Sequence, residues 1–203
     1  MDHDGSLRQA RAVVWEEFLV IEELEALFDY AVRHEREFAA SQVFNPEGNR
    51  PAYRRSRVSL NTGWFHDMIA QRMAFYFPRI LRALDRPYFD VTRVESQLTA
   101  SNDGDYFRFH NDNSQANWPS REITYVYFFH REPRPFSGGE LVLYDSREEG
   151  GVSAPIAVRK RLTPELNTIV FFDSSALHEV TLVRCPSQRF ADSRFTLNGW
   201  LHR

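Results

Sequence analysis

The segment FRFHNDN, residues 107–113, places a histidine and an aspartate two positions apart, within a run rich in aromatic residues. On an extended backbone, residues i and i+2 point to the same face, so His110 and Asp112 would present an imidazole and a carboxylate side by side. Both groups bind divalent metal ions. A strand end running into a polar turn would also place these residue types here, so the rest of the chain must decide between the two interpretations.

A metal site needs at least one further protein ligand, and His178 is the best-placed candidate. It follows the apolar run IVFFDSS and precedes HEVTLV, so strands could return it to the same end of a barrel. His130 closes a predicted strand and is a poorer alternative. Two histidines and one carboxylate form a facial triad, which leaves three positions of an octahedral Fe(II) open. The remaining histidines lie at the chain ends or in the helical part: His3, His34, His66 and His202.

A cation follows the distal histidine in the run SRFTLNGWLHR, where polar and apolar residues alternate. Arg194, Thr196, Asn198 and Trp200 would therefore share one face of a strand. An arginine that points into a barrel is costly unless it meets an anion, and its planar fork suits a carboxylate. An arginine at a strand entrance with its head in solvent is the ordinary alternative.

Composition limits the class of protein. The chain has 203 residues, 42% of them hydrophobic and 14% aromatic, which favours one globular domain. Its net charge of −3 does not indicate a nucleic-acid surface. The single cysteine, Cys185, excludes an intrachain disulfide. No run has the length of a signal peptide or a membrane span, so the sequence predicts a cytoplasmic protein without membrane or nucleic-acid partners.

The hydrophobic pattern predicts helices first and strands afterwards. Apolar residues at three- and four-residue steps predict helices from Ile21 to about Glu37 and from Ile69 to Leu84. Residues 45–57 are polar and predict a loop, whose RRSR segment is either solvated or a patch that grips substrate. The expected fold class is mainly β with supporting helices, in one domain 1–203 with helical support over 1–87 and a β core over 88–203. Six strand-like runs fill that core: DVTRVESQLTAS, EITYVYFFH, GGELVLYD, NTIVFFDS, HEVTLVR and RFTLNGWLH.

With these pieces in place, the chain resembles the Fe(II)- and 2-oxoglutarate-dependent dioxygenases, in the branch similar to prolyl 4-hydroxylases. The resemblance covers roughly residues 10–203. It rests on DGDYFRFHNDN, REITYVYFFHREPRPFSGGELVLYDS, LNTIVFFDSSALHEV and RFADSRFTLNGWL. It implies a double-stranded β-helix (jelly roll) core packed against the N-terminal helices. It also implies Fe(II) on His110, Asp112 and His178, with 2-oxoglutarate chelating the iron.

The resemblance further implies that a basic residue on the last core strand binds the far carboxylate of 2-oxoglutarate. Arg194 matches that strand, but it lies 16 positions after His178, whereas the family usually has about ten. Arg189 is the rival by count. Many members of the family carry a tyrosine before the glycine that precedes the HxD motif, and this chain has Ser101 at that place.

Another hydroxyl would then help to hold the carboxylate, and the candidates are Tyr125, Tyr127 and Thr196. Asn198 could orient the bound oxo acid or a water molecule. The resemblance admits ascorbate as a further cofactor.

The implied reaction uses O2 and 2-oxoglutarate to hydroxylate an unactivated C–H bond. The substrate expected is a prolyl or other amino-acyl residue in a protein or peptide, and the alternative is a free amino acid or a small biosynthetic intermediate. A non-catalytic metal-binding jelly roll would not need Arg194. The segments 45–57 and 113–122 would shape the substrate pocket in either enzyme. The sequence predicts no oligomeric state.

Overall fold

The computed structural model describes residues 6–41, 53–113, 120–149 and 152–203. Two α-helices lie in the N-terminal half, α1 (Ile21–Arg33) and α2 (Phe65–Leu84). Helix α1 ends four residues before the predicted Glu37, and residues Glu35–Glu37 form a 3-10 turn instead. Helix α2 begins four residues before the predicted Ile69. Within the described ranges, no helix is long and apolar enough to cross a membrane.

Both helices form because their apolar residues recur on one face. Helix α1 buries Leu24, Leu27 and Ala31, and its first turn carries acids, which the helix dipole favours. Helix α2 ends at Asp85, whose positive φ of 52° stops the helical hydrogen-bond pattern. Its buried face runs along the whole helix and consists of Phe65, Ile69, Met73, Phe77, Ile80, Leu81 and Leu84.

Fifteen strands complete the described part of the chain. Those of the N-terminal part are β1 (Ser6–Arg8), β2 (Ala12–Trp15), β3 (Ala39–Ala40), β4 (Arg54–Arg55) and β5 (Arg57–Ser59). The following ones are β6 (Arg93–Ser101), β7 (Tyr106–His110), β8 (Arg121–Phe129), β9 (Ser137–Gly138) and β10 (Leu141–Glu149). The last five are β11 (Val152–Leu162), β12 (Thr168–Asp173), β13 (Leu177–Val180), β14 (Val183–Arg184) and β15 (Arg194–His202).

Two antiparallel sheets form the jelly roll that the sequence predicted. The major sheet has the order β2-β12-β8-β15-β6-β5-β3. The minor sheet has the order β1-β10-β13-β7-β4, with β11 also paired to β10. Strands β9 and β14 form a separate pair. The described strand pairs are antiparallel. Antiparallel sheets commonly have two faces with different surroundings.

The outer face of the major sheet packs on the two helices and forms the larger hydrophobic core. Alternate residues of β8 and β15 contribute to it, including Tyr125, Tyr127, Phe195 and Leu197. The residues between them face the minor sheet, where Phe128, Val170 and Phe172 form a second cluster with Leu143 and its neighbours. This second cluster makes one part of the space between the sheets apolar. Another part of that space is lined by polar side chains.

The N-terminal part is more than a helical support. Strands β1 to β5 all precede Pro87, and they join both sheets. The predicted loop is also wrong at its end, because Arg54–Arg55 and Arg57–Ser59 are strands. Residues 45–52 of that loop, and 114–119 of the second pocket segment, lie outside the described residues.

Two other strand predictions needed correction. The run HEVTLVR does not form one strand, because its residues divide between β13 and β14 in different sheets. Strand β11 was not predicted. It lies at a sheet edge, pairs with β10, and is exposed over residues 154–159, so it lacks the apolar alternation of a buried strand.

Candidate metal centre and co-substrate pocket

The predicted triad comes together at one end of the space between the sheets. His110 is the last residue of β7, and His178 lies directly opposite it on β13. Asp112 follows two residues after β7, where its backbone N–H donates a 2.7 Å hydrogen bond to the carbonyl oxygen of Ser174. That bond fixes the turn that brings the carboxylate back toward the two imidazoles.

The three side chains offer their ligand atoms within 4.8 Å of one another. The Nε2 atom of His110 lies 3.7 Å from Oδ1 of Asp112, and the Nε2 atom of His178 lies 3.6 Å from Oδ2. Two imidazole nitrogens and one carboxylate in this arrangement are the donor set of a non-haem Fe(II) facial triad. The residues therefore fit a divalent metal ion.

Neighbouring groups hold both imidazoles with Nε2 toward the centre. The Nδ1 atom of His110 lies 2.8 Å from the carbonyl oxygen of Arg108, and that of His178 lies 2.9 Å from the carbonyl oxygen of Ala176. A proton on each Nδ1 donates to the carbonyl and leaves the Nε2 lone pair for a metal. The ring of Phe107 stacks on His110 at 3.5 Å between centroids and restricts its rotation further.

Electrostatics favours the protonation states that metal binding requires. Burial, reinforced by His178 and Arg54, lowers the pKa of His110 to about 3, so this imidazole is neutral near pH 7. Burial alone would raise the pKa of Asp112. The two histidines, a 2.7 Å hydrogen bond from Thr124 and the nearby Trp200 indole outweigh burial and hold the pKa below its usual value.

Arg194 lies inside the jelly roll, as expected, and is only 3% exposed. Its Nε atom donates to the carbonyl oxygen of Gly139 at 2.7 Å, and its guanidinium lies 5.0 Å from the ring centroid of Phe128. Its buried Nη2 atom has no hydrogen-bond partner among the described residues. Burial lowers its pKa to about 10, which still leaves it charged at neutral pH. A charged, buried donor without a partner is suited to an anionic ligand.

Arg189, the rival by spacing, is engaged elsewhere. Its side chain is 68% exposed and pairs with Asp192 at 2.7 Å. The 3-10 turn Phe190–Asp192 lies between this residue and β15, and it accounts for part of the long interval between His178 and Arg194. The buried arginine is therefore identified by its position on strand β15 and not by the number of residues that separate it from His178.

The polar residues of β15 follow Arg194 along the same face. Thr196 is 3% exposed, and its hydroxyl lies 3.2 Å from Oδ1 of Asn198. The same oxygen accepts a 2.9 Å hydrogen bond from Thr99 on β6. Ser101, at the position of the family's frequent tyrosine, is buried opposite Arg194. Thr196 and Asn198 thus remain candidates for contact with a co-substrate.

The prediction that Tyr125 or Tyr127 supplies a hydroxyl to the pocket is wrong. Both residues lie on the outer face of β8, in the core shared with the helices. The hydroxyl of Tyr125 donates to the carbonyl oxygen of Glu95 at 2.8 Å, and that of Tyr127 donates to Oδ1 of Asn167 at 2.9 Å. The alternation along β8 directs Thr124, Val126 and Phe128 inward instead.

Several contributors to the site were not predicted. Thr124 donates a hydrogen bond to Asp112, and Gly139 accepts one from Arg194 and leaves room for its side chain. The indole of Trp200 lies near Asp112 and helps to lower the pKa of its carboxyl group. The parity of Thr124 with the inner face of β8 could have identified it from sequence. His130 is not part of the triad, because it lies at the end of β8 beside Arg131 and Phe136.

Comparisons with known proteins agree with this geometry. Residues 96–202 match the model of the 2OG-Fe(II) oxygenase superfamily. The chain is 40% identical over 188 residues to an uncharacterised PKHD-type hydroxylase of Synechocystis sp., covering 92% of this chain and 61% of that protein. The chain therefore spans less than two thirds of that relative's length.

Solved structures show the same fold at low identity. A prolyl-4-hydroxylase of Pseudomonas putida superposes with a TM-score of 0.65 at 18% identity, over 96% of this chain and 93% of that one. A prolyl hydroxylase of Trichoplax adhaerens, in complex with a hypoxia inducible factor peptide fragment, gives 0.68 at 14% identity, over 94% and 83%. The epimerase SnoN of nogalamycin biosynthesis gives 0.58 at 10% identity, over 95% and 78%.

The match to the family model extends over more than half of the chain and includes all four residues predicted from the motifs. Superfamily members use Fe(II) and 2-oxoglutarate, and His110, Asp112 and His178 form a candidate iron site. The chain belongs to the 2OG-Fe(II) oxygenase superfamily.

Proposed function

We propose that the protein is a dioxygenase that couples oxidation of 2-oxoglutarate to hydroxylation of an unactivated C–H bond in a prolyl or other amino-acyl residue. The observation that carries this proposal is the presence of two features within one jelly roll. One is the convergence of His110, Asp112 and His178 on a point that suits a metal ion. The other is the buried Arg194, whose Nη2 has no partner among the described residues. A structural metal site would not need the second feature.

The roles of the residues follow from their positions. His110, Asp112 and His178 would hold Fe(II), and Arg194 would bind the far carboxylate of 2-oxoglutarate with a charge-assisted hydrogen bond. When bound, Fe(II) and 2-oxoglutarate supply the chemistry: O2 is consumed, 2-oxoglutarate becomes succinate and CO2, and one oxygen atom enters the substrate C–H bond.

The surrounding residues orient the co-substrate and limit access of water. The amide of Asn198 is held by the hydroxyls of Thr99 and Thr196, which leaves its other end available to a ligand. Phe128 and Phe172, both fully buried, form apolar wall on the inner face of the major sheet. Apolar surroundings of this kind strengthen the electrostatic contacts made by Arg194.

The preference for an amino-acyl substrate is supported by two comparisons. The solved neighbours include prolyl hydroxylases, and one of them contains a bound peptide fragment. The alternative, a free amino acid or small intermediate, is favoured by a different observation. The epimerase SnoN shares this fold, so the architecture also serves small biosynthetic molecules.

Two measurements test the proposal in order. First, 2-oxoglutarate should raise the melting temperature of the protein only when Fe(II) or Mn(II) is present. Second, succinate release should be screened over proline-containing peptides, protein extracts and free amino acids. Succinate production that rises with a peptide would support the principal substrate class, whereas stimulation by free amino acids alone would favour the alternative. Binding of metal without any effect of 2-oxoglutarate would contradict the dioxygenase proposal.

A further inference from the structure

The three arginines of the RRSR segment have different environments. Arg55 pairs with Asp105 at 3.1 Å, and Arg57 donates to the carbonyl oxygen of Glu35 at 2.7 Å and lies near the Glu35 carboxylate. These two contacts fasten the segment to the rest of the fold. Within the described part of the chain, Arg54 has no such acidic partner, although its side chain is partly buried.

Arg54 packs on an aromatic ring that also contacts a residue of the candidate triad. It lies on β4, which pairs with β7, and its direct partner across the strands is Phe107. Its guanidinium carbon lies 4.7 Å from the centroid of the Phe107 ring, and that same ring stacks on His110 at 3.5 Å. One aromatic ring therefore connects the guanidinium to a metal ligand.

The polar contacts of Arg54 leave most of its donors available. Its Nε atom donates to the hydroxyl of Ser56 at 3.0 Å. Among residues 6–41, 53–113, 120–149 and 152–203, no carboxylate forms an ion pair with Arg54. Burial lowers the pKa of Arg54 to about 10, and the Asp112 carboxylate opposes that shift, so the guanidinium is charged at neutral pH. A metal ion bound to Asp112 would take up the charge of this carboxylate, and the partly buried cation would then be suited to another anion.

From this geometry we infer that Arg54 is a substrate-binding residue, and that the substrate carries a carboxylate which Arg54 engages while the reacting C–H bond lies near the metal. This inference rests on the proposed function and specifies its substrate class. The carboxylate could belong to a free amino acid or to an acidic residue of a peptide, since both offer the same planar pair of oxygens.

The co-substrate does not account for Arg54. Its far carboxylate is assigned to Arg194, which lies on β15 in the major sheet, whereas Arg54 lies on an edge strand of the minor sheet. Arg194 is 3% exposed, and Arg54 is more accessible, as expected for a group that meets an incoming substrate.

The test uses matched pairs of probes with the intact protein loaded with Mn(II) and 2-oxoglutarate. Broadening of probe proton NMR signals by the paramagnetic ion reports binding close to the metal. One pair is N-acetylproline and N-acetylprolinamide. The other is a capped peptide Ala-Pro-Glu-Ala and its Gln counterpart. In the wild-type protein, the carboxylate member of at least one pair should be broadened at least about tenfold more than its amide, because a charge-assisted hydrogen bond is lost in the amide.

Three variants make the result specific. Arg54→Gln should abolish the preference for the carboxylate, and Arg54→Lys should retain part of it because a point charge replaces the planar fork. Arg55→Gln is the matched control, since Arg55 is the adjacent residue and pairs with Asp105 away from the metal. The control should leave the preference unchanged. The pair that shows the preference identifies the source of the carboxylate.

Binding of 2-oxoglutarate, measured as a metal-dependent shift of melting temperature, separates this inference from the proposed function. Equal 2-oxoglutarate binding by wild type and Arg54→Gln, together with no carboxylate preference in the wild type, overturns the inference alone. The inference is also overturned if Arg54→Gln keeps the preference for the carboxylate probe, or if Arg54→Gln no longer binds 2-oxoglutarate. If the wild type binds Mn(II) but not 2-oxoglutarate, the proposed function fails. The inference is then decided by the same probes with Mn(II) alone, and an equal response of wild type and Arg54→Gln overturns it.

Discussion

The two faces of strands β8 and β15 differ in composition and in how their polar groups are paired. On the outer face, the Tyr125 and Tyr127 hydroxyls each donate to an oxygen acceptor, and the remaining residues are apolar. On the inner face, Arg194 buries a guanidinium donor, Nη2, that has no partner in the described part of the molecule. An unpaired buried donor costs free energy. The hydroxyl donors of Tyr125 and Tyr127 on the outer face therefore have partners within the protein, whereas Arg194 on the inner face retains a donor for a ligand.

The largest expected effect comes from removing a metal ligand on the inner side. Substitution of His110, Asp112 or His178 by Ala should abolish metal-dependent 2-oxoglutarate binding and turnover, because each is one of three protein ligands. Circular dichroism should show that the fold survives. Near wild-type turnover in any one variant would remove that residue from the ligand set.

Removal of the buried cation should have the next largest effect. Arg194→Ala is expected to weaken 2-oxoglutarate binding by about 2–5 kcal/mol, or roughly 30- to 5,000-fold, with little change in Mn(II) affinity. Arg194→Lys should restore part of the loss. Calorimetry on the Mn(II) protein under argon measures both constants. A parallel loss for a 2-oxo acid that lacks the far carboxylate would argue against this role.

A smaller effect should follow from crowding Arg194 without changing it. A Cβ atom at Gly139 would lie 2.6 Å from Cδ of Arg194, so Gly139→Ala should displace the guanidinium and weaken 2-oxoglutarate binding by about tenfold, or about 1.4 kcal/mol.

Gly138 provides a matched control for this substitution. It also has a positive φ, of 70°, but its Cβ would meet the carbonyl oxygen of Leu182 instead of Arg194. Gly138→Ala should lower the melting temperature more than Gly139→Ala does, because its Cβ meets backbone and not a flexible side chain, and it should leave 2-oxoglutarate binding of the folded protein near the wild-type value. Equal weakening by both substitutions would show that backbone strain, and not contact with Arg194, is responsible.

The outer face should respond in stability and not in binding. Tyr125→Phe removes the hydrogen bond to the carbonyl oxygen of Glu95 and should lower the free energy of unfolding by about 1 kcal/mol. Affinity for 2-oxoglutarate should stay unchanged. Urea denaturation and calorimetry on the same samples distinguish the two properties, and reduced affinity here would mean that the faces are not independent.

The smallest effect is expected at Arg189, which is close in sequence to Arg194 but exposed. Arg189→Ala should change 2-oxoglutarate affinity by about 0–1 kcal/mol at most, because the Arg189 side chain is exposed and its charge is already paired with Asp192. A titration beside Arg194→Ala makes the contrast direct. Loss of the co-substrate in Arg189→Ala alone would show that the residue count was the better guide than strand register.

Sequence reasoning identified the parts of the site that depend on residue type and alternation. His110 and Asp112 share parity, His178 follows an apolar strand, and Arg194 begins a strand with one polar face, so all could be recognised before their contacts were known. The six short strand-like runs predicted a mainly β core, and the family resemblance implied that this core is a jelly roll; the two antiparallel sheets confirm both predictions.

The errors arose where long-range pairing decides the outcome. Tyr125 and Tyr127 were assigned to the pocket as residue types, although alternation from the inward Thr124 places them outside. Strand β4 forms because β7 offers it an edge, and nothing within the polar RRSR segment indicates that pairing. The 3-10 turn Phe190–Asp192 adds residues between His178 and Arg194, so the spacing that is usual in the family did not point to Arg194.

The unpredicted strand β11 has a consequence for how the protein behaves at high concentration. It lies at an edge of the minor sheet and contains Pro155, which cannot donate a backbone hydrogen bond, followed by the basic residues Arg159, Lys160 and Arg161. A bare sheet edge is a template for intermolecular strand addition, and proline and clustered positive charge oppose that addition. Pro155 and the basic residues therefore oppose strand addition at an edge where Ile156 and Val158 are exposed.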